Sequence, residues 1–232
     1  MARCRNLTAG ATRSNGTLVY TNLEYHMQII TISPRGFGAN TYAITADDKT
    51  AILIDPAQPR VESELIKRGL TPTHVLLTHC HFDHVGGVSA LQQGGAKVLC
   101  SEVEKGLIGT EADLFSAFGA PRFPYRVDDT FADGEEKILN GISVKMLLTP
   151  GHTSGSCCYL FTANDGGRYL FTGDTLFADS IGRTDFPTGS IEQMRASLKK
   201  LCALDDMPVY PGHNDPTTLE HERKTNPFLL DA

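Results

Sequence analysis

Short apolar runs separated by turn residues dominate the first half of the chain and predict strands. They occupy 27–33, 40–46, 50–55, 74–78 and 96–100. Between these runs, apolar residues recur at helical spacing, which predicts short helices over 61–67 and 85–93. Ser101-Glu102-Val103-Glu104 has the spacing of a capping box and predicts another helix start, ending at Gly106 or Gly109. A further helical piece is predicted over 111–118.

The second half of the chain has an antiparallel pattern. Asn140-Gly141 joins apolar runs at 136–139 and 142–148, the sequence of a two-residue hairpin. A longer turn joins strands predicted at 156–162 and 168–172, and a last strand is predicted at 207–210. Ser190 starts a second capping box, and a core-facing helical stripe follows, formed by Ile191, Met194, Leu198 and Leu201. Alternating helices and strands with hairpins predict an α/β (α+β) domain of mixed sheets covered by helices.

The first 26 residues differ in composition from the rest of the chain. They contain Arg3, Arg5 and Arg13, and the earliest acidic residue is Glu24. We expect residues 1–26 to form a tail or extension and residues 27–232 to form one domain. The alternative is an organelle transit peptide, which has the same basic, Ser- and Thr-containing composition.

Composition narrows the class of partner. The chain is 41% hydrophobic and 21% charged, with a formal net charge of −6. An acidic balance disfavours nucleic acid and anionic membrane surfaces, and no apolar run reaches the roughly 20 residues of a membrane-spanning helix. The six cysteines form no CxxC pair, which favours a reduced, cytoplasmic protein. We therefore expect a small-molecule substrate; the sequence leaves the oligomeric state open.

The segment His79-Cys80-His81-Phe82-Asp83-His84 carries the strongest chemical signal. Residues two apart lie on one side of an extended chain, so His79 and His81 can bind one cation, and Asp83 and His84 a second. A single histidine at a strand end is commonly an ordinary hydrogen-bonded residue. Burying three histidines and an aspartate within six positions costs desolvation free energy, and metal binding would offset that cost.

Three further candidate ligands each follow a predicted strand and a glycine. They are His152 after Gly151, Asp174 after Gly173 and His213 after Gly212. Loops beyond strand ends commonly carry functional residues, and glycine lets the backbone approach closely. We expect Cys80 to face away from the site, and the remaining histidines to be structural or exposed: His26, His74 and His221.

The 79–84 segment resembles the HxHxDH motif of the metallo-β-lactamase-fold hydrolases, with His152, Asp174 and His213 in the family's order. The stretches at 172–190 and from Tyr210 onward are similar to the glyoxalase II branch and its short bacterial relatives. The resemblance implies a four-layer αββα sandwich with two mixed β-sheets. It also implies that His79, His81 and His152 hold one metal, that Asp83, His84 and His213 hold the other, and that Asp174 bridges them.

The resemblance further implies thioester hydrolysis, as in hydroxyacylglutathione hydrolases, by a hydroxide that bridges two divalent metal ions. Zinc is the first expectation, and iron or manganese accepts the same ligands. Asp83 would also orient the hydroxide, and Arg183 would bind substrate. Glutathione-binding Lys and Tyr of longer glyoxalase II enzymes correspond to Arg183 and Asp185 here.

Other functions remain open at this point. Persulfide dioxygenases share the fold and the sequence found at 182–186, but use one iron. A non-catalytic metal-binding module is a further alternative, while a β-lactamase or a nuclease fits the sequence less well.

Overall fold

The structure is a computed structural model that describes residues 11–14, 17–20, 27–34, 36 and 38–230. Strands β1 (Ala11–Ser14) and β2 (Thr17–Tyr20) pair antiparallel as a two-stranded sheet. Most of the predicted 1–26 extension lies outside the described residues, so its separation from the domain stays a prediction. Within the part of the chain that the structure describes, no helix has the length and hydropathy needed to cross a bilayer.

The first large sheet has six strands in chain order. They are β3 (Gln28–Ile32), β4 (Thr41–Thr45), β5 (Thr50–Ile54), β6 (Thr71–Leu76), β7 (Lys97–Ser101) and β8 (Asp129–Phe131). The first three pair antiparallel, whereas β5 to β8 run parallel. The carboxyl ends of β5, β6 and β7 therefore lie at one edge of this sheet.

The second large sheet is formed by later strands in the order β16-β15-β12-β11-β10-β9. Their bounds are β9 (Glu136–Leu139), β10 (Ile142–Leu148), β11 (Cys157–Thr162), β12 (Arg168–Gly173), β15 (Pro208–Pro211) and β16 (Thr217–Thr218). Because β10 and β12 both pair antiparallel with β11, and β12 pairs parallel with β15, all three end at the same edge. A small hairpin lies between them in sequence: β13 (Leu176–Phe177) and β14 (Ser180–Ile181).

Short helices cover the outer faces of both sheets. They are α1 (Val61–Lys67), α2 (Phe82–Val85), α3 (Val88–Gln93), α4 (Glu102–Lys105), α5 (Phe115–Phe118), α6 (Ile191–Cys202), α7 (Leu219–Thr225) and α8 (Pro227–Leu230). Helix α1 begins after Arg60 without a side-chain cap, whereas Ser190 caps α6 by accepting from the Gln193 N–H. The serine supplies the acceptor that the first turn of a helix lacks.

Three apolar clusters separate four layers. Helices α1 and α3 pack on the outer face of the first sheet, and α6, α7 and α8 pack on that of the second. The central cluster joins the inner faces, with Ile44 and Ile52 from the first sheet against Val144 and Phe171 from the second. Strand alternation produces this arrangement, since Ala43 faces the helices and its neighbour Ile44 faces the other sheet. The expected αββα sandwich with two mixed sheets is confirmed.

Two predicted helices are each divided in the structure. The helix expected over 85–93 is interrupted at Gly86-Gly87, between α2 and α3. A Cβ on Gly87 would lie 2.6 Å from the Gln58 carbonyl oxygen, so this pair lets two backbone segments touch. The piece expected over 111–118 is a 3₁₀ turn (Glu111–Asp113) and α5, separated by Leu114 in the left-handed region at φ 63°.

Candidate metal centre

The structure brings the seven predicted ligand residues together at the edge where both sheets end. The 79–84 segment follows β6, and Asp83 and His84 lie in α2, which begins at Phe82 rather than at the expected residue 85. Each later candidate follows its own strand of the second sheet: His152 after β10, Asp174 after β12 and His213 after β15. The common direction of these strands explains why residues distant in sequence converge.

The first group contains His79, His81 and His152. One ring nitrogen of each lies within 4.8 Å of the other two. The His152 Nε2 atom is 2.9 Å from His81 Nδ1, and the His79 and His81 ring centroids are 4.6 Å apart. Three imidazoles converging in this way match the nitrogen ligands that zinc and related cations take.

The second group contains Asp83, His84 and His213, which also offer ligand atoms within 4.8 Å of one another. The His213 Nε2 atom is 3.4 Å from Asp83 Oδ2, and His84 Nε2 is 4.0 Å from the same oxygen. His84 is fully buried, while Asp83 and His213 retain some exposure. This group therefore faces solvent more than the first.

Asp174 lies between the two groups. Its Oδ2 atom is 3.5 Å from His152 Nε2 in the first group and 3.5 Å from His213 Nε2 in the second. Its Oδ1 atom is 3.3 Å from His84 Nε2. A carboxylate whose oxygens face both groups has the position that a bridging ligand requires.

Buried polar atoms at this site lack hydrogen-bond partners. They are His79 Nε2, His81 Nε2, His84 Nε2 and Asp174 Oδ1. Leaving one such group unsatisfied costs about 1–3 kcal/mol, so a cluster of them needs a compensating partner. Cations fit this requirement, because imidazole nitrogens and carboxylate oxygens are ligand atoms for divalent metals. The residues present therefore fit the two-metal group that the resemblance implies.

Hydrogen bonds behind the site orient the imidazole rings. Asp55 Oδ2 lies 3.0 Å from His84 Nδ1, and the Thr78 hydroxyl donates to the same carboxylate over 2.6 Å. The Arg183 carbonyl oxygen lies 2.7 Å from His152 Nδ1. Such contacts at Nδ1 leave Nε2 free as a lone-pair donor and raise its basicity.

Asp55 lies behind the candidate ligands, a position that the sequence motifs do not indicate. It is buried directly after β5 and has a left-handed backbone at φ 46°. Besides His84, it accepts the Thr78 backbone N–H over 2.8 Å. Its position was the available signal, since Asp55 follows a strand as the later candidate ligands do.

Glu104 is a second such residue, for which the sequence predicts only a place in a helix cap. Its side chain is buried, and it joins two ligand loops. Oε1 accepts the backbone N–H of Cys80 over 2.8 Å, and Oε2 accepts the Thr153 hydroxyl over 2.7 Å. These partners are adjacent to His79, His81 and His152, so Glu104 holds together the backbone that carries the first group.

The electrostatics favour neutral imidazole at His79 and His81 and favour the charged forms of Asp174 and His84. Burial, reinforced by neighbouring histidines, lowers the pKa of His79 well below its usual value and that of His81 to about 3. Burial opposes ionisation of Asp174 and His84, but their mutual attraction lowers the pKa of Asp174 and, with Asp83, raises that of His84. The same carboxylates would stabilise a bound cation.

The three glycines before later ligands allow close packing, as predicted. A Cβ on Gly151 would lie 2.5 Å from Met194 Cα, and one on Gly173 would collide with Thr78 Oγ1. A Cβ on Gly212 would collide with Asp174 Oδ1 and lie 2.9 Å from His84 Cε1. Gly212 is therefore part of the wall of the site.

A cavity of about 510 Å³ opens onto the two groups. Ligand-type residues His81, Asp83, His152, Asp174 and His213 line one part of it. Four phenylalanines and Arg183 also line it. The Arg183 guanidinium donates two hydrogen bonds to the Asp185 carboxylate, from Nε to Oδ1 over 2.6 Å and from Nη2 to Oδ2 over 2.7 Å.

The other described histidines lie as the sequence predicts, and His26 lies outside the described residues. His74 Nδ1 lies 3.0 Å from Thr73 Oγ1, and His221 is on the surface, 3.5 Å from Asp179. Glu222, beside His221 and Asp179, already accepts hydrogen bonds from the Asp179 backbone N–H and from the side chains of Asn226 and Thr217. Among the described cysteines none forms a disulfide: Cys80, Cys100, Cys157, Cys158 and Cys202.

The fold and the site define a class of protein: an αββα sandwich with histidine and carboxylate groups fit for metal at the shared edge of its sheets. The family model described as Metallo-beta-lactamase superfamily matches residues 34–213, and the chain belongs to that family. Its members are mostly metal-dependent hydrolases.

Among curated relatives, the chain is 35% identical over 211 residues to hydroxyacylglutathione hydrolase GloC of Haemophilus influenzae, covering 88% of this chain and 98% of the relative. It is similar to the solved structure of BLEG-1 B3 metallo-beta-lactamase, with a TM-score of 0.77 and 31% identity over 88% of this chain and 99% of that one.

Two further solved structures are similar. ETHE1 from Myxococcus xanthus has a TM-score of 0.70 and 30% identity, covering 86% of this chain and 83% of that one. TTHA1623, in a di-iron-bound form, has a TM-score of 0.72 and 33% identity, covering 87% of this chain and 100% of that one.

Proposed function

We propose that the protein is a binuclear metal-dependent hydrolase that cleaves thioesters, as glyoxalase II-like enzymes do. The convergence of seven ligand-type side chains, five of which line one cavity, with buried lone-pair atoms left unpartnered, is the observation that carries the proposal. The similarity to a hydroxyacylglutathione hydrolase over most of both chains supports the thioester part.

His79, His81 and His152 would hold one cation, Asp83, His84 and His213 would hold the other, and Asp174 would bridge them. When bound, the cations supply a hydroxide nucleophile at neutral pH and Lewis-acid stabilisation of negative charge. We propose zinc, with iron and manganese as alternatives, because the histidine and carboxylate set suits all three.

Asp83 is the proposed catalytic residue besides its ligand role. It is partly exposed and lines the cavity, so a carboxylate oxygen can accept a hydrogen bond from the attacking water and orient it. Arg183 is the proposed substrate-binding residue, because it lines the cavity and its backbone carbonyl contacts the candidate ligand His152. Its guanidinium would contact the carrier part of a thioester.

A mono-iron oxidoreductase, like the persulfide dioxygenases, is the second candidate. The sequence Gly182-Arg183-Thr184-Asp185-Phe186 favours it, because these enzymes carry the same segment. A non-catalytic metal-binding module is the third. The acidic composition supports a small-molecule substrate in all cases, and the free buried thiols support a reducing compartment such as the cytoplasm.

The test measures metal content together with hydrolysis of S-lactoylglutathione and simpler thioesters. We expect about two transition-metal ions per chain, as a two-metal site requires, and thioester turnover. Asp174→Asn and His81→Ala should each lower kcat/KM more than about 100-fold, since even a residue behind a metal ligand contributes 10- to 100-fold. His221→Ala, an exposed histidine outside the cavity, is the matched control and should retain wild-type rates.

Three results would contradict the proposal, each in a different way. One iron per chain with oxygen consumption on glutathione persulfide would favour the oxidoreductase. Two bound metals without turnover of any thioester would favour the binding module. Full activity of Asp174→Asn would remove the proposed bridging ligand from the mechanism.

A further inference from the structure

The walls of the cavity are aromatic, whereas its polar groups are concentrated at the proposed metal ligands. Phe82 and Phe118 stack with ring centroids 4.9 Å apart and an interplanar angle of 29°. Phe186 meets Phe118 edge-on at 6.0 Å and His81 edge-on at 5.8 Å. An aromatic surface therefore runs from the outer rim of the cavity to the first group of ligands.

Phe118, at the rim, is the exposed end of this surface. Its side chain is 56% exposed, although it lies in α5 beside the buried Phe115. An isolated exposed phenylalanine is ordinary, but one that continues a row of rings into a cavity offers a contiguous apolar surface to a ligand. Covering it would remove apolar area from water.

The charged side chain among these rings does not interrupt the apolar surface. The Arg183 guanidinium lies over the Phe186 ring, 3.9 Å from its centroid, while its edge is bound to Asp185. Its planar face thus extends the aromatic row, and two of its five N–H groups are bound by Asp185. Small-molecule sites commonly combine apolar walls with a few polar groups at the reacting end.

We propose that the acyl group of the thioester substrate is bulky and apolar, such as an arylacetyl group, and that Phe82, Phe118 and Phe186 bind it. This inference rests on the proposed function. The reacting carbonyl must lie at the metal ligands, so the rest of the substrate extends along the cavity. Biological thiol carriers are polar molecules, which leaves the acyl group as the apolar part that fits these rings.

The reaction itself is a balanced hydrolysis. Water adds to the acyl carbon, a C–O bond forms, the C–S bond breaks, and the proton from water ends on the thiol. The products are a carboxylic acid and a free thiol, without any change of oxidation state. The inferred role of the rings is to hold the acyl group, so it concerns affinity and specificity rather than chemistry.

The experiment compares two thioesters of one thiol, S-acetyl- and S-phenylacetyl-N-acetylcysteamine. We expect kcat/KM to be about tenfold higher for the phenylacetyl compound, the effect of burying part of an aromatic ring. Phe118→Ala should lower kcat/KM about tenfold for phenylacetyl and less than about twofold for acetyl. Phe118→Leu should restore most of the loss.

Phe123→Ala is the matched control, because Phe123 is similarly exposed, at 46%, and does not line the cavity. A second readout avoids turnover: calorimetric binding of the thioether S-(2-phenylethyl)-N-acetylcysteamine to metal-free protein. Phe118→Ala should weaken this binding, and Phe123→Ala should leave it unchanged.

The outcomes separate the two proposals. Equal kcat/KM for both thioesters, with Phe118→Ala altering neither, would overturn the acyl-group inference and leave thioester hydrolysis standing. Absence of turnover with every thioester would overturn both. Equal effects of Phe118→Ala and Phe123→Ala would likewise overturn the inference, since the loss would not come from the cavity.

Discussion

Replacing Glu104 by alanine should destabilise the protein and weaken its hold on metal together. The carboxylate accepts the Cys80 N–H over 2.8 Å and the Thr153 hydroxyl over 2.7 Å, and the side chain is fully buried. These two donors lie in different loops, one beside His79 and His81 and the other beside His152. Losing both hydrogen bonds to Glu104 therefore loosens the backbone on both sides of the first histidine group.

The size of the effect follows from four contributions. The Cys80 N–H would lose its acceptor, which costs about 1–3 kcal/mol for a buried donor. Thr153 can instead bond Ser156 Oγ, 2.8 Å away, so its loss is small. The missing side-chain volume adds about 2 kcal/mol, the low end for large-to-small core changes, and removing a buried carboxyl returns part of this. The net loss is about 2–4 kcal/mol, from a total near 5–15 kcal/mol for an ordinary domain.

Urea unfolding of metal-free protein at pH 7 measures this loss directly. Glu102→Ala, an exposed glutamate in the same helix, is the control and should lie within about 0.5 kcal/mol of wild type. Chelator competition should show metal affinity about 10- to 100-fold lower for Glu104→Ala, the usual effect of losing support behind ligands. Unfolding of Glu104→Ala within about 0.5 kcal/mol of wild type would refute the reasoning.

The isosteric change Glu104→Gln tests the charge separately. Burial raises the pKa of Glu104 above its usual 4.5, against the hydrogen bonds from Cys80 and Thr153. The native state therefore holds the proton more tightly than the unfolded chain, so this group's contribution is fully present below about pH 4.5 and is lost as pH rises through the folded pKa. As pH rises through the folded-state pKa, Glu104→Gln should gain stability relative to wild type. A constant difference in free energy of unfolding between the two proteins from pH 4.5 to 8 would contradict the raised pKa of Glu104.

Three further predictions concern the cavity and the metals. Gly212→Ala should abolish metal binding measured by elemental analysis, because its Cβ would collide with Asp174 Oδ1, whereas Gly106→Ala, whose Cβ meets only Val103 O at 3.4 Å, should not. Asp185→Ala should free Arg183 and lower KM for S-lactoylglutathione roughly twofold to fivefold at constant kcat, the range of an exposed ion pair; an unchanged KM would remove Arg183 from substrate binding. Chelation should lower stability by about 4 kcal/mol relative to protein with free metal at 1,000 times its Kd, with a matching fall in Tm that added zinc reverses.

The convergence of the candidate ligands was predictable because local rules specify it. His79, His152, Asp174 and His213 each lie just beyond a strand that a period-two or buried pattern identifies. Once those strands share a direction, their ends must meet at one edge. The layered fold follows from the same alternation, so the fold and the convergence of the candidate ligands were both predictable from the sequence.

Long-range contacts account for what the sequence left out. The strand expected at 74–78 begins earlier, at Thr71, although Pro72 cannot donate to a sheet ladder. The register with β5 shifts between Ala51 and Ile52, beside Pro72, and this irregularity accommodates the proline. Nothing in a local window around Pro72 encodes that shift in its neighbour.

The same limit applies to the groups behind the ligands. Asp55 and Glu104 contact segments 23 to 49 positions away. Asp55 lies in no motif with a recognisable spacing, and the capping box that contains Glu104 indicates only the start of a helix. Left-handed backbone at Leu114 is likewise imposed by the surrounding structure, since leucine does not favour it. Sequence patterns identify the side chains that carry chemistry more readily than those that support them.

Neither histidine group is complete within one half of the chain. His79 and His81 extend from the first sheet and His152 from the second, and the other group is divided in the same way between His84 and His213. Cations bound there would link the two sheets to each other across the central apolar layer. Any motion that separates the two sheets would release the cations. Metal retention would therefore report on whether the N-terminal and C-terminal halves of the domain remain packed together.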